Sequence, residues 1–198
     1  MKSFLNVSLL CLAVFMLSSC KKSNPVESSP SVLQIWPFKT GNTWAYQAIS
    51  FDSTGTVTQS GSGAFIVTTD TIVGGETWYH LSTAGAMFYT NRSDGLWVMW
   101  NNTSGLNQEL LFKYPVSAGD NWNYGADLVF VQSTDTLITV MAGTYHCYEY
   151  RVFYNSNPLC DYYCCPGVGF IAEDYFSSTN SGRLYRAWNL RTSSVTLK

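Results

Sequence analysis

Hydrophobic and polar residues along most of the chain alternate in short runs that favour β-strands. Runs of strand-forming residues, rich in aromatic and β-branched side chains, are separated by turn signals such as Gly74-Gly75 and Ser93-Asp94-Gly95. No stretch has a convincing helical period. The predicted strands are 43–51, 56–69 with an interruption at Gly61-Ser62-Gly63, 71–73, 77–81, 86–90, 96–100, 106–113, 128–132, 136–141, 144–154, 167–176, 183–190 and 193–197.

This density of strands and tight turns predicts an all-β fold. We expect an antiparallel β-sandwich or a partly open barrel of about ten or more short strands, with little helix. Gly74-Gly75 is the strongest candidate for a two-residue hairpin, because glycine tolerates the positive φ that such turns need. The segment 155–166 is expected to be a loop.

Two strand-like segments carry aromatic residues that are candidates for ligand stacking. In 96–100 both faces are apolar, which predicts a strand that is buried on both sides or lines a cavity. In 144–154, alternation places the aromatic residues at 148 and 150 on one face. Stacking on a sugar or lining a lipid pocket is one interpretation, and an aromatic-rich core is the alternative. The candidates are Trp97, Trp100, Tyr148 and Tyr150.

A short block occurs twice in the chain. Residues 37–46 and 115–124 both read P-x-x-x-G-[ND]-x-W-x-Y, which is typical of a turn that leads into a strand. Weaker echoes follow in the same order, Gly75 with Gly143 and Gly95-Leu96-Trp97 with Gly167-Val168-Gly169. These matches predict a duplicated half-domain, 37–114 and 115–190. The alternative is one favourable turn-strand solution used twice.

The N-terminal residues predict export and lipidation. Lys2 precedes an uncharged apolar run, 4–17, which is shorter than the roughly 20 residues of a membrane-spanning helix. The run ends in Leu17-Ser18-Ser19-Cys20, which looks like the lipobox of bacterial lipoproteins. We therefore predict a signal peptide at 1–19 and a lipid anchor on Cys20. The alternatives are an ordinary secretory signal with a chance cysteine, or a short anchor helix.

The residues after the predicted cleavage site fit a membrane-anchored protein. Segment 20–32 is polar and rich in serine and proline, which predicts a disordered tether before a single all-β domain at 33–198. Lys21, rather than Asp, follows the cysteine. By resemblance to lipoprotein sorting in enteric bacteria, this points to the outer membrane, on either its periplasmic or its surface-exposed side.

Composition argues against nucleic acid as a partner. The formal net charge is −2 and charged residues make up 12% of the chain, with no basic patch or acidic tail. Aromatic residues reach 16%, including 7 Trp and 13 Tyr, and these fit pleated strands.

Three blocks together resemble a known group of proteins. The first repeated block, A-G-T-Y-x-C at 142–147 and Y-Y-x-x-P-G-V-G-F at 162–170 are similar to motifs of uncharacterised Bacteroidetes-type outer-membrane lipoproteins. Met141 replaces the proline usual in the second motif, and Cys164-Cys165 stands where small or polar residues are more usual. The resemblance implies an all-β periplasmic or surface domain and carries no known activity.

Four further cysteines predict disulfides, because an exported protein meets an oxidising compartment. We expect Cys160 to pair with Cys164 or Cys165, and Cys147 to pair with the other. A zinc site that includes His146 is a more specific alternative. It is disfavoured because His146 and Cys147 are adjacent in a predicted strand and point to opposite faces. Free thiols are the third alternative.

Candidate chemistry is otherwise sparse, so we predict neither an enzyme nor a cofactor. The chain has two histidines, His80 and His146, each after an aromatic residue in a predicted strand. No nucleophile, zinc-protease or phosphate-loop motif is present. Glu173 and Asp174 are adjacent, so in a strand they face opposite ways and make a weak acid/base pair. Three triplets, beginning at Asp52, Asp70 and Asp135, resemble acceptor sites for O-glycans. Each fits an O-glycan site and an ordinary turn equally well.

The leading hypothesis is a non-enzymatic cell-envelope lipoprotein that binds a ligand, saccharide or lipid, or a partner through its sheet surface or a cavity. The alternatives are a structural or interaction module of an envelope assembly, and a hydrolase with an unrecognised site. A Trp- and Tyr-lined pocket of roughly several hundred Å³ favours the first, and a flat apolar patch the second. A cleft with two convergent carboxylates favours the third. The oligomeric state stays open.

Overall fold

Twelve antiparallel strands form one sheet that curves into a nearly closed barrel in the computed structural model of the chain. The structure describes residues 33–177 and 183–195. The strands are β1 (Thr43–Phe51), β2 (Val57–Val73), β3 (Glu76–Leu81), β4 (Phe88–Arg92), β5 (Gly95–Asn102), β6 (Gly105–Lys113), β7 (Asn121–Tyr124), β8 (Asp127–Val140), β9 (Gly143–Tyr154), β10 (Asn157–Cys165), β11 (Gly169–Phe176) and β12 (Leu184–Ser194).

The sheet is an up-and-down meander with one long-range pairing. Its order is β6-β5-β4-β3-β2-β1-β12-β11-β10-β9-β8-β7, so the first strand pairs with the last and the two edge strands are β6 and β7. No helix occurs in the described residues. The all-β prediction is confirmed, and of the two predicted architectures the barrel is the one that forms. The predicted leader at 1–19, Cys20, the tether at 20–32 and the turn at 179–182 fall outside the described part.

Two predicted irregularities are regular strand in the structure. β2 runs unbroken through Gly61-Ser62-Gly63, so the predicted interruption is wrong. The glycine at 63 is needed for packing rather than for flexibility, because a Cβ there would lie 2.8 Å from Cζ3 of Trp188. The predicted loop 155–166 is also wrong, because most of it forms β10 between β9 and β11. Its turn is the pair Asn155-Ser156, both with positive φ.

The two copies of the repeated block have matching backbone hydrogen bonds. In the first block Gly41 N donates to Val67 O (2.8 Å), and Val67 N donates to Asn42 O (2.9 Å). In the second block, which precedes β7, Gly119 N donates to Val131 O of β8, and Val131 N donates to Asp120 O. Both bonds are 2.9 Å long. Each block therefore starts its half of the meander in the same way. The origin of this similarity by duplication stays a prediction.

The segment before β1 fills part of the barrel interior. Trp36 is 2% exposed, and its ring centroid lies 4.1 Å from that of Phe170 in β11 and 5.7 Å from that of Phe65 in β2. Asn91 of β4 holds the backbone of Trp36, donating from Nδ2 to its carbonyl (2.7 Å) and accepting from its N–H (3.5 Å). Gly169 makes room for the indole, since a Cβ there would lie 2.3 Å from Cδ1 of Trp36. The indole therefore lies on the concave side of the sheet.

Candidate functional site

A cavity of about 410 Å³ opens on the inner face of the sheet. Residues from both halves of the chain line it, and eight of them are aromatic: Trp36, Phe65, Tyr89, Tyr124, Tyr162, Phe170, Tyr175 and Trp188. Aliphatic side chains, including Leu81 and Leu111, complete most of the wall. The charged lining residues are Glu173 and Arg186. The cavity is therefore an apolar chamber with one polar region.

Strand register brings the polar region together. Tyr162, Glu173 and Trp188 lie directly opposite one another across β10, β11 and β12. One step along, Cys160, Tyr175 and Arg186 form the next inward row, since residues two apart in a strand share a face. The inward side chains of these two rows thus converge on one part of the barrel interior, and all of them except Cys160 line the cavity.

Glu173 is the carboxyl group of this region. The phenol groups of Tyr162 and Tyr175 lie beside its carboxyl group, and Cys160 Sγ lies 3.8 Å from its Oε1. Burial raises the pKa of Glu173, while the two tyrosines and the charge of Arg186 act in the opposite direction. Burial also raises the pKa values of Tyr162 and Tyr175, so both phenols stay protonated and remain donors.

Arg186 is the cationic group of this region. Its Cζ lies 4.5 Å from the ring centroid of Tyr175. Its Nε is buried without a hydrogen-bond partner among the described residues, and so is the indole nitrogen of Trp36, which lines the same cavity. Trp78 and Trp122 also have such nitrogens, but neither lines the cavity. An unsatisfied buried donor costs about 1–3 kcal/mol, so each of these nitrogens carries a cost of that order in the structure.

The four aromatic residues predicted from the sequence lie elsewhere, and none lines this cavity. Tyr150 is buried in the core and donates from its hydroxyl to Lys113 O (2.8 Å), with Tyr148 stacked 6.3 Å away. Trp97 packs 4.2 Å from Cζ of Arg92 on the outer face, where its Nε1 donates to Asp94. Trp100 is half-buried. A ligand role for these four stays an untested prediction.

Sequence reasoning missed most of the cavity residues. It correctly placed Glu173 and Asp174 on opposite faces of a strand, but the inward partners of Glu173 depend on the β10–β11–β12 register. The sequence did contain two signals: Tyr175 stands two residues after Glu173, and Tyr162 belongs to the Y-Y motif.

The four cysteines are free thiols in the structure, and none of the predicted disulfides is present. Cys160 and Cys164 lie four residues apart on one extended strand, which separates their Cα atoms by about 13 Å. A disulfide requires Cα atoms within about 7 Å, so neither Cys164 nor the still more distant Cys165 can bridge to Cys160. Cys147 is also free, and burial raises its pKa to about 12.

The histidines make local contacts outside the cavity. His146 Nδ1 lies 2.6 Å from Asp135 Oδ1, and both side chains are exposed. His80 Nδ1 lies 2.9 Å from Thr68 Oγ1, and its Nε2 lies 2.7 Å from Gly85 O. No group of three or more His, Cys, Asp and Glu side chains within 33–177 and 183–195 is placed to hold a metal ion.

A second acidic cluster lies on the outer face of the sheet. Asp161 is 2% exposed and accepts from Nε and Nη2 of Arg151 at 2.7 and 2.6 Å. Asp174 lies directly opposite Asp161 on β11. Burial and the charge of Asp161 raise the pKa of Asp174 to about 6. Glu173 and Asp174 therefore belong to separate clusters and do not converge on one cleft.

Comparison with known proteins gives distant structural likeness only. No protein-family model matches the chain, and no curated protein matches it. A Bacteroides fragilis protein, described as exported and as having a YmcC-like fold, is similar over 83% of this chain and 100% of its own, with 11% identity and a TM-score of 0.44. A Parabacteroides distasonis protein described as a lipoprotein is similar over 82% and 99%, with 10% identity and a TM-score of 0.45.

These likenesses are too distant to carry an argument about function. In the described part of the chain there is no helix with the length and apolar character that crossing a membrane requires.

Proposed function

We propose that this protein is a non-enzymatic lipoprotein of the cell envelope that binds a small, largely apolar molecule inside its barrel. The cavity of about 410 Å³ with eight aromatic lining residues is the observation that carries the proposal. Small-molecule sites are commonly about 300–1,000 Å³, mostly apolar, with a few placed polar groups. This cavity has that size and that composition.

The chemistry of the lining favours a lipid-like ligand over a saccharide. A saccharide presents many hydroxyl groups, and each loses free energy when it is buried without a partner. The charged groups among the lining residues are Glu173 and Arg186, and the rest of the wall is mainly aromatic and aliphatic. A molecule with an apolar body and few polar atoms matches this wall.

The chemistry also favours binding over catalysis. Glu173 lies beside two tyrosine hydroxyls and faces no second carboxyl group among the lining residues. The nearest thiol, Cys160, has a pKa raised by burial, so it stays protonated and is a poor nucleophile.

A fluorescence titration with N-phenyl-1-naphthylamine, a neutral apolar dye, tests the proposed cavity. The protein is residues 20–198 with Cys20→Ser, which keeps every described strand pairing, all within 43–194, and omits the predicted signal peptide. We expect saturable binding with one site per chain and a blue-shifted emission.

A matched pair of variants controls the location of the dye. Ala84 lines the cavity, so Ala84→Phe should abolish binding. Ala86 is exposed two residues away, so Ala86→Phe should leave binding intact. Met87→Trp, at the rim of the same cavity, is a second blocking variant. Equal binding by wild type and both blocking variants, all with native circular dichroism, contradicts the proposal.

A further inference from the structure

The polar region of the cavity is asymmetric in its hydrogen bonding. Glu173, its acceptor, already has the phenol groups of Tyr162 and Tyr175 and the thiol of Cys160 beside it. Its donor, Arg186, keeps a buried Nε with no partner among the described residues. The capacity left for a ligand is therefore that of a donor, and it is cationic.

Arg186 is also held in place. Its guanidinium lies over the ring of Tyr175, with Cζ 4.5 Å from the centroid, and its register partner on β1 is Ser50. Trp188, two residues on in the same strand, points into the same cavity and stacks 6.3 Å from Phe65. A fixed guanidinium next to a broad aromatic wall matches a molecule with one acceptor head and an apolar body.

The indole nitrogen of Trp36, a residue of the same wall, is buried against Gly169 and is not open to the cavity. Arg186 is therefore the donor that matters for a ligand. A cationic donor with no acceptor of its own argues against a pure hydrocarbon, which leaves it unsatisfied. It equally argues against an amine, which brings further donors and a like charge.

We infer that the ligand is an amphiphile with a single anionic oxygen head, such as a carboxylate or sulfonate, bound to Arg186 with its apolar body against the aromatic wall. This inference rests on the proposed binding function and narrows it to one chemical class.

A pair of dyes that share one skeleton tests the inference. 1-Anilinonaphthalene-8-sulfonate carries an anionic head, and N-phenyl-1-naphthylamine is the same ring system without it. Both are titrated into residues 20–198 carrying Cys20→Ser, and the result is the ratio of their dissociation constants. We expect the anion to bind about tenfold more tightly or better, since a charge-assisted hydrogen bond contributes that much.

Three variants locate the preference. Arg186→Gln should reduce the ratio to near one, and Arg186→Lys, which keeps the charge, should recover part of it. Glu173→Gln removes the neighbouring negative charge and should increase the preference for the anion several-fold. The matched control is Arg191→Gln, an exposed arginine on the same strand, and it should leave the ratio unchanged.

The possible results separate the two proposals. Binding of both dyes with no preference for the anion, or a preference that survives Arg186→Gln, overturns the anionic head and leaves the apolar cavity standing. Binding of neither dye, or binding that survives Ala84→Phe, overturns both. A preference lost in Arg186→Gln and kept in Arg191→Gln supports both.

Discussion

At the residue scale, the surroundings of two adjacent acids show how strand alternation separates functions. Glu173 points into the cavity among tyrosines, whereas Asp174 points outward to Asp161 and Arg151. Burial raises the pKa of both, so ionising either one costs free energy in the folded state. The inner acid serves the proposed site, and the outer acid affects stability.

Asp174→Asn is expected to stabilise the protein at high pH. The folded pKa of Asp174 is about 6, above its ordinary value of 3.8. Because the pKa is higher in the folded protein, protonation of this carboxyl group favours the folded state. This stabilisation is fully present below the unfolded pKa and is lost as the pH rises through about 6. The variant should therefore raise the free energy of unfolding at pH 8, on the order of 1 kcal/mol given the partial exposure of Asp174.

Urea unfolding at pH 8 and pH 4 measures the effect, and the gain should be much smaller at pH 4. Asp70→Asn is the control, because Asp70 is exposed on β2 and should show little change at either pH. Equal gains for Asp174→Asn at both pH values contradict the role of ionisation.

Gly63→Ala is expected to destabilise the protein and to disturb the cavity. The new Cβ would lie 2.8 Å from Trp188, which must move, and overpacking of this kind typically costs about 1–3 kcal/mol. Since Trp188 lines the cavity, N-phenyl-1-naphthylamine should also bind more weakly.

Gly61→Ala is the control in the same strand, because nothing lies within 4 Å of a Cβ at that position. Thermal unfolding and dye titration of both variants check the expectation. Equal melting temperatures for the two variants would show that Trp188 leaves room for a Cβ at position 63.

At the element scale, each half of the meander begins with the same turn-strand unit. Asn42 and Asp120 hold corresponding backbone bonds to β2 and β8, but their side chains differ in burial. Asn42 is 3% exposed and donates from Nδ2 to Pro37 O (2.9 Å), whereas Asp120 accepts from Ser117 N (3.0 Å) at an exposed position. The first unit lies in the middle of the sheet, and the second lies at its edge.

Asn42→Ala is therefore expected to cost more stability than Asp120→Ala. Removing a buried partner leaves a carbonyl unsatisfied and costs about 1–3 kcal/mol, while loss of an exposed turn cap costs about 0.5–2 kcal/mol and usually near 1. Denaturant unfolding of the two variants gives the comparison directly. A larger loss for Asp120→Ala would show that the edge unit, not the central one, limits stability.

At the scale of the whole molecule, the two halves close on each other through β1 and β12, and both halves line the cavity. The proposed anchor on Cys20 would leave about a dozen residues between the membrane and the start of the barrel. Such a tether lets the barrel reach apolar molecules near a membrane surface.

Cys20→Ala in the full chain is expected to release the protein from the membrane fraction and to abolish incorporation of labelled palmitate. The physical reason is that the thiol is the predicted site of lipid attachment, and several acyl chains hold a protein firmly. Cell fractionation measures the first effect and metabolic labelling the second. Cys11→Ala, inside the predicted leader, is the control, and unchanged membrane association of Cys20→Ala would contradict the anchor.

The features that could be predicted were those set by local sequence. Alternation and turn residues predicted the all-β class and most strands, and the two copies of the repeated block lead into β1 and β7. β10 was missed because N-P-L-C-D-Y-Y-C-C reads as a loop rich in cysteine. It is a strand because β9 and β11 satisfy its backbone on both sides. The same omission led to the predicted bridge between Cys160 and Cys164 or Cys165, since extended backbone separates cysteines that a loop could bring together.

The sequence alone thus determined the period of the strands, the positions of several turns and the opposite facing of Glu173 and Asp174, because these depend on neighbouring residues. Only the tertiary structure decided which inward residues meet. The pairing of β1 with β12 and the registers of β10, β11 and β12 bring Tyr162, Glu173 and Arg186 together. Register between distant strands depends on the packing of the entire sheet, and no short segment of the chain encodes it.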